Sequence, residues 1–343
     1  MSAEIKSSLR FAVVGHGRIG TRHVGHIVNL ANLVAVCDTD EARVADSASV
    51  SGAATYTDIK TMLDEQKQDI DVVSVCSPNG LHAQHAIAAL NAGCHVLCEK
   101  PMALKVQDCG AMIEAAEKAN RRLFIVKQNR YNPPVVTVKA LLDSGRLGAV
   151  HTVQLNCFWN RNDDYYRDSW KGTRELDGGT LYTQFSHFID LLYWLVGDVD
   201  SVTALVDNFQ HQNTIEFEDA GAAVLRFSNG ALGTLAFNIN SHEKNMEGSL
   251  ALFCENGTIK IGGQYLNELE YQSLDGEPIG GLPQGGGPNE YGHYQGSMSN
   301  HDLVYANVID VLSGDGVIGT AGYEGLKTVE IIDKIYRAAR DAS

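Results

Sequence analysis

The sequence predicts an α/β protein in two parts. A doubly wound parallel sheet comes first, and a second α/β domain on an open-faced, mainly antiparallel sheet follows. Three observations predict this. Residues 9–130 alternate short apolar runs with amphipathic stretches, the pattern of strand–helix–strand units. From Val150 onward strand-like runs follow one another with few helices between them, and two of the turns carry Asn-Gly. The chain, at 343 residues, exceeds what one hydrophobic core usually serves, so the expected division is 1–130 and 131–343.

Each element has its own signal. Leu9–Val14, Leu33–Cys37, Val72–Cys76, His95–Cys98 and Leu123–Val126 are continuous apolar runs, as strands covered on both faces require. Arg18–Asn29, His82–Ala92 and Val106–Ala119 are the helices between them, and Gly93 suits a helix C-terminus. Pro133-Pro134 opens a helix to about Ser144, where proline costs no hydrogen bond in the first turn. Val150–Phe158, Ser201–Val206, Ala220–Phe227, Ala231–Asn238, Ser249–Phe253 and Thr258–Ile261 are the strands of the second sheet. The turns Ser228-Asn229-Gly230 and Glu255-Asn256-Gly257 fix two hairpins. One helix, Phe185–Leu195, is inserted after Gly178-Gly179. The glycine- and tyrosine-bearing stretch Leu274–Ser299 is expected as a long loop, and helices His301–Leu312 and Tyr323–Ala339 close the chain, which has no internal repeat.

The bulk numbers exclude some partners. A net charge of −15 opposes nucleic acid and anionic membrane surfaces. No apolar run approaches the roughly 20 residues of a membrane span. The first residues lack a signal-peptide pattern, so a cytoplasmic protein is expected. The seven cysteines have no zinc or redox spacing and read as buried reduced thiols; no metal site is expected.

The chemistry begins at Gly15-His16-Gly17-Arg18-Ile19-Gly20. A glycine loop after a strand and before a helix presents backbone N–H groups to a dinucleotide pyrophosphate, so Gly15, Gly17, Arg18 and Ile19 are expected on the cofactor. Asp38 stands at the end of the next strand, where a carboxylate accepts from ribose hydroxyls and repels a 2′-phosphate. With Thr39 and Asp40 beside it and no arginine, NAD is preferred over NADP. Ser77, Pro78, Asn79 and His82 follow the strand Val72–Cys76 and belong to the same edge. A structural turn and a capping histidine are the alternative reading. Glu99-Lys100-Pro101 puts a lysine at the end of the strand His95–Cys98, where a doubly wound sheet exposes its chemistry.

These segments, with Gly178-Gly179…His187…Asp190, resemble the Gfo/Idh/MocA oxidoreductases over nearly the whole chain. The resemblance implies an N-terminal Rossmann domain and a C-terminal α/β domain whose sheet often serves as an oligomer interface. Further segments occur in order: Val126-Lys127-Gln128-Asn129-Arg130, Asn156–Trp159, Tyr165-Tyr166, Trp170–Thr173, Asp177–Gly179, Gln184…Ser186-His187 and Asn245–Ser249. This series is similar to the WlbA-type nucleotide-sugar 3-dehydrogenases, which oxidise UDP-N-acetylglucosaminuronate at C3. The likeness implies Gln128, Trp170, Lys171 and Glu99 near the cofactor, and Lys100, Tyr166, Thr183, Gln184 and His187 near the substrate. It also implies tightly held NAD(H), reoxidised in place by 2-oxoglutarate. Much of the wider family has Asp four residues before the active-site His; here that residue is Thr183, which weakens an inositol reading.

Oxidation of a secondary alcohol needs a hydride acceptor and a base. Lys100 can stabilise a developing alkoxide and, in a partly desolvated site, act as base. His187 is the second candidate, although a histidine among Phe185, Phe188 and Ile189 is ordinarily a core residue. Arg161 and Arg167 can hold a uronate carboxylate or a diphosphate, or be a solvated charged loop. Tyr291–His301 is expected to fold over the uridine diphosphate. The leading expectation is an NAD-dependent oxidation of a UDP-N-acetyl amino sugar by a homodimer or homotetramer formed through the second sheet. The alternatives are a free-sugar or inositol dehydrogenase and a ligand sensor that has lost catalysis.

Overall fold

A computed structural model describes residues 6–45, 52–167, 169–283, 285, 287–290 and 295–342. The chain forms two compact units, Met1–Val126 with His301–Leu326, and Lys127–Asn300 with Lys327–Ser343. The cut differs from the expected one at 130. Lys127–Arg130 go with the second unit, and residues 301–326 return to the first.

The first unit is a six-stranded sheet of order β3-β2-β1-β4-β5-β6, paired in parallel throughout. Its strands are β1 Arg10–Val14, β2 Asn32–Cys37, β3 Ala54–Tyr56, β4 Val72–Val75, β5 His95–Cys98 and β6 Leu123–Ile125. This is the order of dinucleotide-binding sheets, with the crevice where the order reverses between β1 and β4. Helices α1 Arg18–Leu30, α2 Ile59–Gln66, α3 His82–Asn91 and α4 Val106–Ala119 connect the strands. Strand β3, only three residues long at the sheet edge, has no hydrophobic run to announce it.

A buried polar network holds this unit. Glu99, at the end of β5 and 4% exposed, accepts from His23 Nε2 at 2.9 Å and from the Lys100 amide at 3.0 Å. His301 Nε2 lies 3.4 Å from the same carboxylate, an ion-pair distance without hydrogen-bond geometry. One ring nitrogen of each histidine and a Glu99 oxygen lie within 4.8 Å of one another, a cluster that the cysteine spacing gave no reason to expect. Burial opposes the charge on Glu99, but its two histidines outweigh burial and hold the carboxyl well below the usual range. His23 Nδ1 meets the Tyr305 hydroxyl at 2.8 Å, and that hydroxyl meets Ser74 Oγ at 2.9 Å. His301 and Tyr305 are on α9, the helix His301–Ser313, which packs on α1.

The second unit carries a seven-stranded sheet of order β13-β12-β11-β7-β10-β9-β8. Its strands are β7 Val150–Phe158, β8 Val199–Asp207, β9 Ala220–Phe227, β10 Leu232–Asn238, β11 Glu247–Cys254, β12 Gly257–Gly262 and β13 Glu268–Leu274. All pairs are antiparallel except β7 with β10. Both Asn-Gly turns sit where expected, joining β9 to β10 and β11 to β12. The stretch expected as a long loop contains β13's last residue and a small hairpin, β14 Pro288–Glu290 with β15 Gln295–Met298. Helices α5 Pro133–Asp143, α6 Asp163–Tyr166, α7 Thr180–Thr183 and α8 Ser186–Val196 complete this part. The final helix, α10 Gly322–Asp341, has its first residues in the first unit and the rest in the second.

One face of the second sheet is covered by α8, with Trp159, Phe185 and Phe188 packed edge to face. The registers put Leu205, Val224, Leu232, Phe253 and Tyr271 on the opposite face, each 43–68% exposed. Among the described residues, no helix is long and apolar enough to cross a membrane, and all seven cysteines are free thiols, six of them buried.

A second buried carboxylate positions the Gly178-Gly179 turn. Both glycines have positive φ, +91° and +140°, and a Cβ on Gly179 would collide with the Tyr336 hydroxyl. That hydroxyl donates to Glu218 at 2.6 Å and accepts from the Leu181 amide, while the Thr180 amide also donates to Glu218.

Two outcomes are expected. Tyr305→Phe keeps the ring but removes the hydroxyl from buried His23 and Ser74, and should destabilise the protein by about 1–3 kcal/mol in urea unfolding; an unchanged midpoint would contradict the network. Burial pushes the Glu218 carboxyl from 4.5 up to about 7. Because the folded value is raised, the contribution of Glu218 to stability is present below the unfolded pKa and lost as pH climbs through the folded one. At about 1.4 kcal/mol per pKa unit, Glu218→Gln should gain about 3 kcal/mol relative to wild type between about pH 4 and pH 8. A pH-independent difference would contradict this.

Candidate active site

In the first unit the glycine loop fits a dinucleotide. Gly15 has φ +91°, and a Cβ there would press on the backbone of Cys76 and Ser77 at 2.6 Å. A Cβ on Gly20 would strike the Gly15 carbonyl, so helix and loop approach as closely as two backbones can. Gly17, by contrast, has open space where its Cβ would be. It caps α1 with no side-chain hydrogen bond to the first-turn amides, leaving the N-terminus to attract an anion beside half-buried Ile19 and exposed Arg18.

Asp38 is half-buried. Its carboxylate accepts the His16 amide at 2.6 Å and the Asp40 amide at 3.0 Å, so it fastens the loop. The absence of an arginine in the neighbouring sequence does not hold in space: Arg43 comes to 3.9 Å from Asp38 and 3.3 Å from Asp40.

Ser77-Pro78-Asn79 follows β4, and Ser77 and Asn79 are buried. His82 is 1% exposed and spans two carbonyls, Pro101 O at 2.7 Å and Ser77 O at 2.8 Å. Both partners are acceptors, while burial pushes the imidazole below its usual pKa, so at neutral pH two carbonyls compete for one proton. His82 thus clamps the Ser77 loop to the Lys100-Pro101 loop. Lys100 is half-buried at the end of β5, and the Lys100–Pro101 bond is cis. Glu99 faces inward to His23 and His301, as described above, and acts on Lys100 through the backbone.

In the second unit, His187 is 3% exposed in the first turn of α8. Its Nε2 lies 3.3 Å from the Gln128 amide nitrogen. The Gln128 side-chain oxygen, Oε1, is buried with no protein partner among the described residues, as expected of a group that meets a ligand. One turn beyond His187, Asp190 accepts from Arg130 at 2.7 and 2.9 Å and from Thr328 at 3.0 Å, and lies 3.3 Å from Lys127 Nζ. Burial opposes the charge on Asp190, but the two cations outweigh it and keep its carboxyl below the usual value. Lys127 and Arg130 entered the sequence reading only as parts of a motif. The available signal was Asp190 itself, a carboxylate inside the apolar run Phe188–Leu192, which burial obliges to find a cation.

Arg161 is 3% exposed. It donates to Gln184 Oε1 at 2.8 Å, to Asn245 Oδ1 at 3.2 Å and to the Asn160 and Gln295 carbonyls. Gln184 also donates to the Tyr165 hydroxyl. Arg161 therefore ties together Gln184, Asn245 and the Gln295 backbone, whereas Arg167, 68% exposed and paired with Asp164, belongs to the solvated loop. Tyr166 is buried against Tyr165 and His211. Lys171 lies 4.2 Å over the Tyr165 ring and 5.8 Å over Trp170. Thr183 donates to Asp177. Of the segment expected over the uridine diphosphate, residues 291–294 lie outside the described residues. Asn300 bonds Gln128 O and Asn132, and His301 belongs to the first unit.

Known proteins fit this arrangement. Residues 9–127 match the oxidoreductase family with an NAD-binding Rossmann fold, and residues 135–260 match the GFO/IDH/MocA C-terminal domain. The crystal structure of the WlbA dehydrogenase from Bordetella pertussis in complex with NADH and UDP-GlcNAcA superposes with a TM-score of 0.87 at 36% identity, covering 98% of each chain. Inositol 2-dehydrogenase 2 of Saccharopolyspora erythraea is 29% identical over 79% of this chain and 78% of its own length. A 1-carboxy-3-chloro-3,4-dihydroxycyclohexa-1,5-diene dehydrogenase of Comamonas testosteroni is 32% identical over 63% of this chain, a match spanning 53% of that relative. With the six-stranded parallel sheet, the uncapped glycine turn and these matches together, the chain belongs to the GFO/IDH/MocA oxidoreductase family, and its first unit is an NAD-binding Rossmann domain.

Proposed function

We propose that this chain is an NAD-dependent nucleotide-sugar 3-dehydrogenase. It oxidises the C3 hydroxyl of a UDP-N-acetyl amino sugar, UDP-N-acetylglucosaminuronate before UDP-N-acetylglucosamine, in surface-polysaccharide biosynthesis. The observation that carries the reading is the likeness to the WlbA dehydrogenase, 36% identical and matched over 98% of both chains, in a complex that holds NADH and UDP-GlcNAcA.

When bound, NAD supplies the acceptor for the hydride that leaves the sugar carbon. The turn from Gly15 to Ile19 holds the pyrophosphate, Asp38 the ribose, and Ser77, Pro78 and Asn79 line the same crevice. Gln128, Trp170 and Lys171 are assigned to the nicotinamide end by the likeness alone. Lys100 holds the hydroxyl oxygen and stabilises its developing charge. His187, whose Nε2 lies 3.3 Å from the Gln128 side-chain nitrogen, accepts the hydroxyl proton. Gln184, Arg161 and Tyr166 shape the sugar site. The exposed apolar face of the second sheet suits a second copy of the chain, making a homodimer or homotetramer.

A second reading, a dehydrogenase of inositol or a free sugar, is favoured by the inositol 2-dehydrogenase match. A substrate panel separates the two: turnover of UDP-N-acetylglucosaminuronate is expected, and turnover of inositol or glucose alone would overturn the choice. Lys100→Ala and His187→Ala should each lower kcat by about a hundredfold or more while the unfolding midpoint changes little. Near-normal turnover in both would remove the assigned roles. The purified protein should carry the absorbance of bound NADH, bleached by 2-oxoglutarate; stable absorbance after that addition would exclude recycling in place.

A further inference from the structure

His23, Glu99 and His301 bring two imidazoles and a carboxylate together in the first unit, from α1, the end of β5 and α9. All three are buried, at 0%, 4% and 1% exposed. His23 Nε2 lies 2.9 Å, and His301 Nε2 3.4 Å, from the same oxygen, Glu99 Oε1. His301 is the anomaly. Among the described residues, neither of its ring nitrogens has a hydrogen-bond partner. A buried imidazole with both nitrogens unpartnered costs free energy unless a ligand meets one of them.

We propose that these three side chains form a zinc-class divalent-cation site that pins α9 to α1 and to the end of β5. Two imidazoles with a carboxylate suit Zn²⁺, whereas Mg²⁺ and Ca²⁺ take oxygen ligands. Bonds of about 2.0–2.2 Å put neighbouring ligand atoms of a tetrahedral Zn²⁺ about 3.3 Å apart. The two contacts to Glu99 Oε1 bracket that spacing, and the three atoms lie within 4.8 Å of one another. A cation here neutralises the enclosed carboxylate and occupies His301 Nε2 at once. The fourth position goes to water or to Glu99 Oε2, which also accepts the Lys100 amide.

The surroundings supply what such a site needs behind its ligands. Coordination through His23 Nε2 puts the ring proton on Nδ1, 2.8 Å from the Tyr305 hydroxyl. That hydroxyl accepts it and turns its own proton to Ser74 Oγ at 2.9 Å, so the rearranged network stays paired. His26 stacks on the His301 ring with centroids 6.0 Å apart and is itself half-buried, so the cluster lies one ring from solvent. Residues 23, 99 and 301 share no spacing motif, which is why the sequence gives no sign of the site.

The test uses the full chain without an affinity tag, freed of metal by chelation and held at about pH 7.5, where imidazoles are largely neutral. Wild type should take up one Zn²⁺ per chain, and Co²⁺ in its place should show the visible absorption of a four-coordinate site. Zn²⁺ at about 100 times its Kd should raise the thermal midpoint by about 5 °C. His301→Gln removes a ligand that has no hydrogen bond to lose, so the metal-free variant should unfold near the wild-type midpoint. Its Zn²⁺ affinity should fall by at least about a hundredfold. Tyr305→Phe keeps all three ligands and carries the test should His301→Gln not fold; its affinity should fall by about ten- to a hundredfold. His242→Ala, at an exposed His–Glu pair, should bind as wild type does. No Zn²⁺ uptake by wild type, or undiminished affinity in His301→Gln or Tyr305→Phe, would overturn the proposal.

Discussion

The carboxylate of Glu99 is the constraint on which the first unit depends. It is a charge enclosed in the core, and an enclosed charge is tolerable only when donors surround it. Its surroundings come from separate parts of the chain: His23 on the helix that follows the glycine loop and the amide of the next residue, Lys100, donate to it, and His301 on a helix near the C-terminus lies at ion-pair distance. Satisfying one anion therefore fixes the cofactor helix, the returning helix and the strand end that carries Lys100. His82 repeats the device in neutral form, joining the loops after β4 and β5 through their carbonyls.

The second unit has its own version. Asp190 lies one helical turn from His187 and is held by Arg130, Lys127 and Thr328. Gln128, in the same short turn as Arg130, reaches His187. The histidine's orientation thus follows from an ion cluster behind it, and the face it presents is set before any ligand arrives. Preorganisation of this kind spares the binding step the cost of ordering side chains.

Most elements were legible in the sequence because their signals are local. The apolar runs, the two Asn-Gly turns and Gly93 are decided by neighbours within a few residues. The glycine loop was legible for the same reason. What escaped depended on distance. Strand β3 is too short to have a pattern, and the Pro288–Glu290 hairpin sits in a stretch whose glycines mask it. Arg43 reaches Asp38 although nothing beside Asp38 in the sequence announces it. Glu99 read as a cofactor contact because its motif did, yet its partners are residues 76 and 202 positions away, beyond any periodicity argument. Arg161 read as a ligand-binding charge, and burial shows that its donors serve Gln184 and Asn245 first.

The return of residues 301–326 to the first unit has a consequence for how the protein is made. A ribosome delivers the six parallel strands long before it delivers His301 and Tyr305. At about 5–20 residues per second, roughly 10–40 s separate the emergence of Val126 from that of Leu326. Until residues 301–313 emerge, Glu99 and His23 lack the helix that completes their enclosure, and the nascent Rossmann sheet waits on translation of residues 127–300. Neither unit is contiguous in the chain: the first is completed only when residues 301–326 emerge, and the second only when residues 327–343 follow.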